Sequence, residues 1–392
     1  MYRALALLSL LVAAPTLIAA TPAELPAIKG LADPFTFNDG SRVSSVADWE
    51  KRREELKQLF AEYEYGHLPP KPEQMQVIVG TAAKNESGAT PLPLKATFTH
   101  QGRELVLNLK VSLPPGKEKV PVVIQPSFGP MRPRRPGQTF VMPDFAKQFN
   151  DRGYAYAEFI VPEIAADNRD TARESGIYKL FGDDIDCGGL MAWAWGFHRT
   201  IDALAEVERI DMEKIVVTGH SRYGKAALVA GAFDERIAVT APSHSGCAGT
   251  APFRFIYGNS EQLQNIAGAF PYWFRPGFGE FSEQVDKLPV DQHLLRALVA
   301  PRAQISTEGT EDAWANPQGA QLTYLAAKEV YKFLGADDKI TIRTRQIGHI
   351  PNNDDVMDLA DHVFFGKPLS EDFGKLAYPI EEQAYSWKAP AE

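Results

Sequence analysis

Cysteine is nearly missing from this chain. Cys187 and Cys247 are the only two in 392 residues, which excludes a disulfide-dense scaffold and any cysteine-rich metal site. Export would permit a bridge between them, and two buried free thiols fit the sequence equally well. There is no basic block and no glycine-rich phosphate loop, and the formal net charge is −9. These absences argue against nucleic acid, anionic membrane surfaces and nucleotides as main partners. Long apolar runs are also missing, except at the very start. There Arg3 supplies a short positive region, Ala4 to Val12 is apolar apart from Ser9, and Ala19-Ala20 offers small residues for cleavage before Thr21. Residues 1–20 therefore read as a secretory signal peptide, too short and wrongly flanked for an anchor. The expectation is an exported protein, periplasmic or secreted, with no membrane contact in its mature form. His220, His244 and His293 lack HExxH or H-x-H spacing, so no metal and no cofactor is expected.

What is present is pattern. Hydrophobic residues make up 44% of the chain, enough for one large core, and residues 21–392 are expected to form a single catalytic domain. A helix is expected around Asp48 to Tyr65, carrying Leu56, Leu59, Phe60 and Tyr63. Gln74 to Val111 alternates in the manner of antiparallel strands. From Val120 the pattern changes to short runs typical of strands buried on both faces: Val120 to Gln125, Ala155 to Val161, Lys214 to Thr218, Ile237 to Ala241 and Arg302 to Ser306. Helical periods cover Met191 to Val207 and Gln318 to Leu334. Such alternation predicts a mostly parallel central sheet flanked by helices on both faces, with antiparallel strands at its N-terminal side.

The segment Ile215 to Leu228 carries the chemistry. A β-branched run enters Gly219-His220-Ser221, and a small-residue helix follows at once (Gly224, Ala226, Ala227, Ala230). A strand, a sharp turn and a helix lift the Ser221 hydroxyl out of the sheet and aim the first helical N–H groups at the same point. The second glycine is at 224 instead of 223, a departure from the usual G-x-S-x-G. A plain helix-capping serine is the alternative for Ser221. A serine nucleophile needs a base and an orienting acid, which in α/β-hydrolases follow in the order serine, acid, histidine. Asp312 follows the strand at Arg302 to Ser306, and His349 follows a final strand at Ile340 to Ile347. Glu308, Glu311 and Asp354 lie close enough in sequence to compete with Asp312 for the acid role.

These residues resemble a known family. Gly219-His220-Ser221-Arg222-Tyr223-Gly224-Lys225-Ala226-Ala227 is similar to the G-x-S-R-x-G-K-x-A motif of the glucuronoyl esterases, carbohydrate esterase family 15. The likeness extends in order along nearly the whole mature chain. It takes in Tyr65-Gly66-His67-Leu68-Pro69-Pro70, Ser245-Gly246-Cys247-Ala248-Gly249, Phe270-Pro271-Tyr272-Trp273-Phe274 and Asp312-Ala313-Trp314-Ala315-Asn316-Pro317. The bacterial branch is the nearer one. The resemblance implies an α/β-hydrolase that cuts esters between (4-O-methyl-)glucuronic acid of glucuronoxylan and lignin alcohols. It implies Ser221 as nucleophile, His349 as base, and Arg222 in the oxyanion hole. Lys225 and Glu261 would bind sugar hydroxyls and Trp314 would line the sugar site. Many members carry a glutamate where this chain has His244, so the acid role falls to Asp312. A monomer is expected. Two rivals remain: an acetyl-xylan or general carboxylesterase, and a non-catalytic carbohydrate-binding protein on the same fold.

Overall fold

The computed structural model describes residues 20–82, 89–129 and 144–390, so the signal-peptide reading lies, apart from Ala20, outside the described residues. A nine-stranded sheet with spatial order β1-β2-β3-β5-β4-β6-β7-β8-β9 organises the chain. Strands β1 (Gln74–Val79), β2 (Thr90–His100) and β3 (Arg103–Leu113) form an antiparallel meander. Residues along β2 alternate between buried and exposed because only one face of this part meets the core.

The meander joins the parallel part through antiparallel pairing of β3 with β5 (Ala155–Ile160). Beyond that seam every pair is parallel: β5 with β4 (Val120–Ser127), β4 with β6 (Ile210–His220), then β7 (Val239–Ser243), β8 (Ala303–Gly309) and β9 (Ile340–Arg345). Strands β7 and β8 are buried along their whole length; β7 is apolar or small throughout, whereas β8 also buries Gln304 and Glu308, which accept from Arg296 and Thr250. These findings bear out the expected fold.

Helices cover both faces. On β6, Ile215 and Val217 pack into the larger core with helices α2 (Gly189–Leu204) and α3 (Arg222–Phe233), whereas Val216 faces the opposite way. Val216 shares its cluster with Val356, Met357, Leu359 and Ala360 of a C-terminal helix, Asn353–Phe365. Helix α2 is buried at every position, with His198 paired to the Ala230 carbonyl and Arg199 to Asp202. The expected helix near residue 48 is α1 (Val46–Phe60), at whose start the Ser45 side chain accepts from the Asp48 N–H. Both cysteines are buried as free thiols, so of the two alternatives left open above the bridge is not the one formed. No helix among the described residues is long and apolar enough to cross a membrane.

Candidate active site

Strand β6 lies near the middle of the sheet, and its C-terminal end turns sharply into α3. At that corner Ser221 adopts φ 60° and ψ −126°, a conformation costly for a residue with a Cβ. Its N–H donates to the Ser243 carbonyl of the neighbouring strand at 2.9 Å. A Cβ at Gly219 would sit 2.4 Å from the Tyr223 carbonyl oxygen. One at Gly224 would come within 2.9 Å of the Gly219 and Ser243 carbonyl oxygens. The second glycine is therefore needed at 224, where α3 presses against the ends of β6 and β7. Position 223 is free to hold a large ring: Tyr223 is buried edge-on against Trp193. Ser221 occupies the helix N-cap position without making a capping hydrogen bond, so its hydroxyl is not spent on the helix.

Acid and base come from the loops after β8 and β9, on the same edge of the sheet. His349 Nδ1 lies 2.6 Å from Asp312 Oδ2. The same carboxylate oxygen lies 2.8 Å from Nδ1 of His244, which immediately follows β7 with φ 46°. Burial opposes a charged Asp312, but the hydrogen bonds from both histidines prevail and hold its carboxyl well below the usual range. The competing acids are placed elsewhere. Glu308 is buried and accepts from the Thr250 hydroxyl at 2.8 Å, burial pushing its carboxyl up to about 7. Glu311 is exposed, and Asp354 is exposed and accepts from Gln148. His220, next to the serine, has its ring 4.3 Å from that of His349, which puts the histidine beside the elbow. Burial, with His349 and His244 next to it, pushes His220 down to about 3, so it stays neutral.

His244, Asp312 and His349 offer nitrogen and oxygen atoms that all lie within 4.8 Å of one another. The 2.6 and 2.8 Å separations are those of N–H···O hydrogen bonds. Neighbouring ligand atoms around a tetrahedral ion with bonds of about 2 Å sit roughly 3.3 Å apart, so the cluster as built is a hydrogen-bonded triplet.

The residues assigned to the sugar by resemblance also converge. The Glu261 N–H donates to the Trp314 carbonyl at 3.0 Å, and the Glu261 carboxylate lies 3.9 Å from the Lys225 ammonium. Trp314 is 53% exposed, so it is not a core ring. Lys225 is buried, and its ammonium donates to the carbonyls of Ser245 and Cys247, the second at 2.6 Å. It thus braces the loop after β7 whatever else it touches. Lys225→Met should consequently lower stability by about 1–3 kcal/mol, the usual result of leaving buried acceptors unpaired. Chemical denaturation of the two proteins checks this, and equal midpoints would show the brace to be dispensable.

Arg222 has partners that sequence reasoning missed. Its guanidinium donates to Asp167 at 2.6 Å and lies over the rings of Phe270 and Trp273. Asp167 lies just past the short helical turn Val161–Ile164 that follows β5, again beyond the carboxyl edge of the sheet. Its only signal in the sequence was that location, which it shares with Asn168, Arg169 and Asp170.

Known proteins resemble this chain along most of its length. A family profile described as glucuronyl esterase, fungi, matches residues 96–335. The 4-O-methyl-glucuronoyl methylesterase of Schizophyllum commune is 34% identical over 319 residues, covering 79% of this chain and 74% of that protein. The chain belongs to the glucuronoyl esterases, carbohydrate esterase family 15. Three further relatives bearing the same activity in their names are longer, and this chain covers 63% of their length. Among solved structures, the family 15 glucuronoyl esterase from Caldicellulosiruptor kristjansonii superposes with a TM-score of 0.80 at 34% identity, covering 94% of this chain and 99% of that one. A serine-to-alanine mutant of the glucuronoyl esterase from Sporotrichum thermophile, in complex with methyl 4-O-methyl-beta-D-glucopyranuronate, gives 0.74 at 26% identity. That match covers 92% of this chain and 95% of the other.

Proposed function

We propose that this glucuronoyl esterase hydrolyses esters of (4-O-methyl-)glucuronic acid, as found between glucuronoxylan and lignin alcohols, through an acyl-enzyme on Ser221. The observation that carries the reading is the 2.6 Å contact of His349 Nδ1 with Asp312 on a carboxyl edge that also presents a strained, uncapped serine. With Nδ1 protonated and held by Asp312, the Nε2 lone pair of His349 is free to take the Ser221 proton. The serine oxygen attacks the uronate carbonyl. The negative charge that develops meets the Arg222 backbone N–H at the start of α3 and the Arg222 guanidinium, each donor of this kind being worth roughly 3–4 kcal/mol. His349 then protonates the departing alcohol, and water repeats the cycle on the acyl-enzyme. Neither step calls for a metal or cofactor.

Lys225, Glu261 and Trp314 give the acyl side its preference, because a uronate has hydroxyls for the charged groups and a ring face for the tryptophan. Asp312 on the loop after β8, with histidine at 244, supports the finer assignment to the bacterial branch. Residues 1–20 support export to the periplasm or beyond. Hydrolysis of benzyl glucuronate and of a matched benzyl acetate tests the reading. The glucuronate should be preferred by about 100-fold or more in kcat/KM, as expected when unmatched substrates leave buried polar groups unpaired. Faster turnover of the acetate would reassign the protein as a general or acetyl-xylan esterase.

A further inference from the structure

We infer that Asp167 is a positioning residue for catalysis, fixing the Arg222 guanidinium where the oxyanion forms. The inference rests on the esterase reading above and adds a residue to it. An arginine side chain has many rotamers, and each hydrogen bond it offers a transition state is weakened by the entropy of holding it still. In this protein that entropy is removed before substrate arrives. Asp167 Oδ2 accepts from Arg222 Nη1 at 2.6 Å. Its other oxygen, Oδ1, accepts from the Tyr272 hydroxyl at 2.8 Å and from the Trp273 indole N–H at 2.9 Å.

The carboxylate is therefore held from one side by two donors on the Pro271–Trp273 turn and grips the guanidinium from the other. That turn also supplies a floor. The rings of Phe270 and Trp273 stack at 4.0 Å with 6° between their planes, and the guanidinium carbon lies 5.2 and 4.9 Å from their centroids. Trp273 is buried and meets Trp193 of α2 edge-on, so the floor is part of the core.

One end of the guanidinium is thus consumed by an anion on a rigid aromatic shelf. Asp167 is 10% exposed in its side chain, against 31% for Arg222. The pair is graded from core to cleft, with its cationic member outermost. No other hydrogen bond of the Arg222 side chain occurs among the described residues, so its remaining N–H groups are available to a ligand. A simple surface ion pair would not need three donors converging on the anion, nor a stacked floor beneath the cation. Preorganisation of a charge that acts only in the transition state does.

Asp167→Asn retains shape and removes the charge. It should lower kcat on glucuronate esters by about 10- to 100-fold with KM changed less than about threefold, and by the same factor for good and poor leaving alcohols. The deciding measurement is the same substitution in an Arg222→Met background, where the effect of Asp167→Asn should vanish because nothing is left to position. Asp167→Glu, which restores charge at a displaced position, should recover part of the loss. If Asp167→Asn destabilises the fold, Tyr272→Phe serves instead, removing one of the two anchors and lowering kcat by a few-fold. A full additional loss in the Arg222→Met background, or an unchanged kcat in Asp167→Asn and Tyr272→Phe, overturns the proposal. A wild-type enzyme inactive on every ester would instead overturn the esterase reading.

Discussion

Replacing Ser221 with alanine should abolish ester hydrolysis, reducing kcat by about a million-fold while leaving the protein folded. The hydroxyl makes no hydrogen bond to any described residue and does not cap α3, so its removal leaves no partner unsatisfied. Alanine at φ 60° is as strained as serine, so the backbone energy of the corner is nearly unchanged. Stability should therefore stay within about 0.5 kcal/mol of wild type. Binding of a glucuronate ester should persist, since Lys225, Glu261 and Trp314 are untouched. Single-turnover hydrolysis and calorimetric titration of the variant would test both halves. A variant retaining a tenth of its activity would remove Ser221 from the mechanism.

The second large effect belongs to Asp312→Asn, which should cost about ten-thousand-fold in kcat with little change in KM. In the native protein Oδ2 accepts from two histidines, His349 at 2.6 Å and His244 at 2.8 Å. An asparagine that turns its NH2 toward His349 makes Nδ1 an acceptor. The imidazole proton then moves to Nε2, the atom that must be bare to act as base. The same exchange removes the negative charge that stabilises the imidazolium. His244→Ala should do much less, since Asp312 keeps its bond to His349 and loses only its second donor. A larger loss in His244→Ala than in Asp312→Asn would place the orienting group on the loop after β7 instead.

Much of this was legible in the sequence, and the reasons are physical. Strands buried on both faces leave largely apolar or small runs broken only by a few paired polar groups, and β4, β7 and β8 were recognisable on that ground. Alternation in β2 recorded its single buried face. The elbow was recognisable because a β-branched run, a serine and a run of small residues have few other uses together. Strand order was not legible: β4 lies between β5 and β6, a fact of long-range pairing that no local pattern records. The local structure of residues 244–301 was also illegible, although family motifs within it were recognised. Short turns there are held by distant contacts, such as Arg254 donating to the carbonyls of Leu288 and Val290 and to Asp291. His244 stood out as a departure from family pattern, yet its hydrogen bond to Asp312 was visible only once β7 and β8 were paired. Asp167 had no signal beyond its position after a strand.

The loops that carry Asp312 and His349 are joined through main-chain atoms. The Thr310 N–H donates to the Arg345 carbonyl and the Glu311 N–H to the Ile347 carbonyl, at 2.9 and 3.1 Å. Side-chain exchange leaves such a seam intact, whereas adding or deleting one residue in either loop shifts every pairing along it. The two segments are thus tied in length as well as in space. In a lineage or a designed library, surface residues around them are free to vary, while insertions are confined to the segments on either side of the pair.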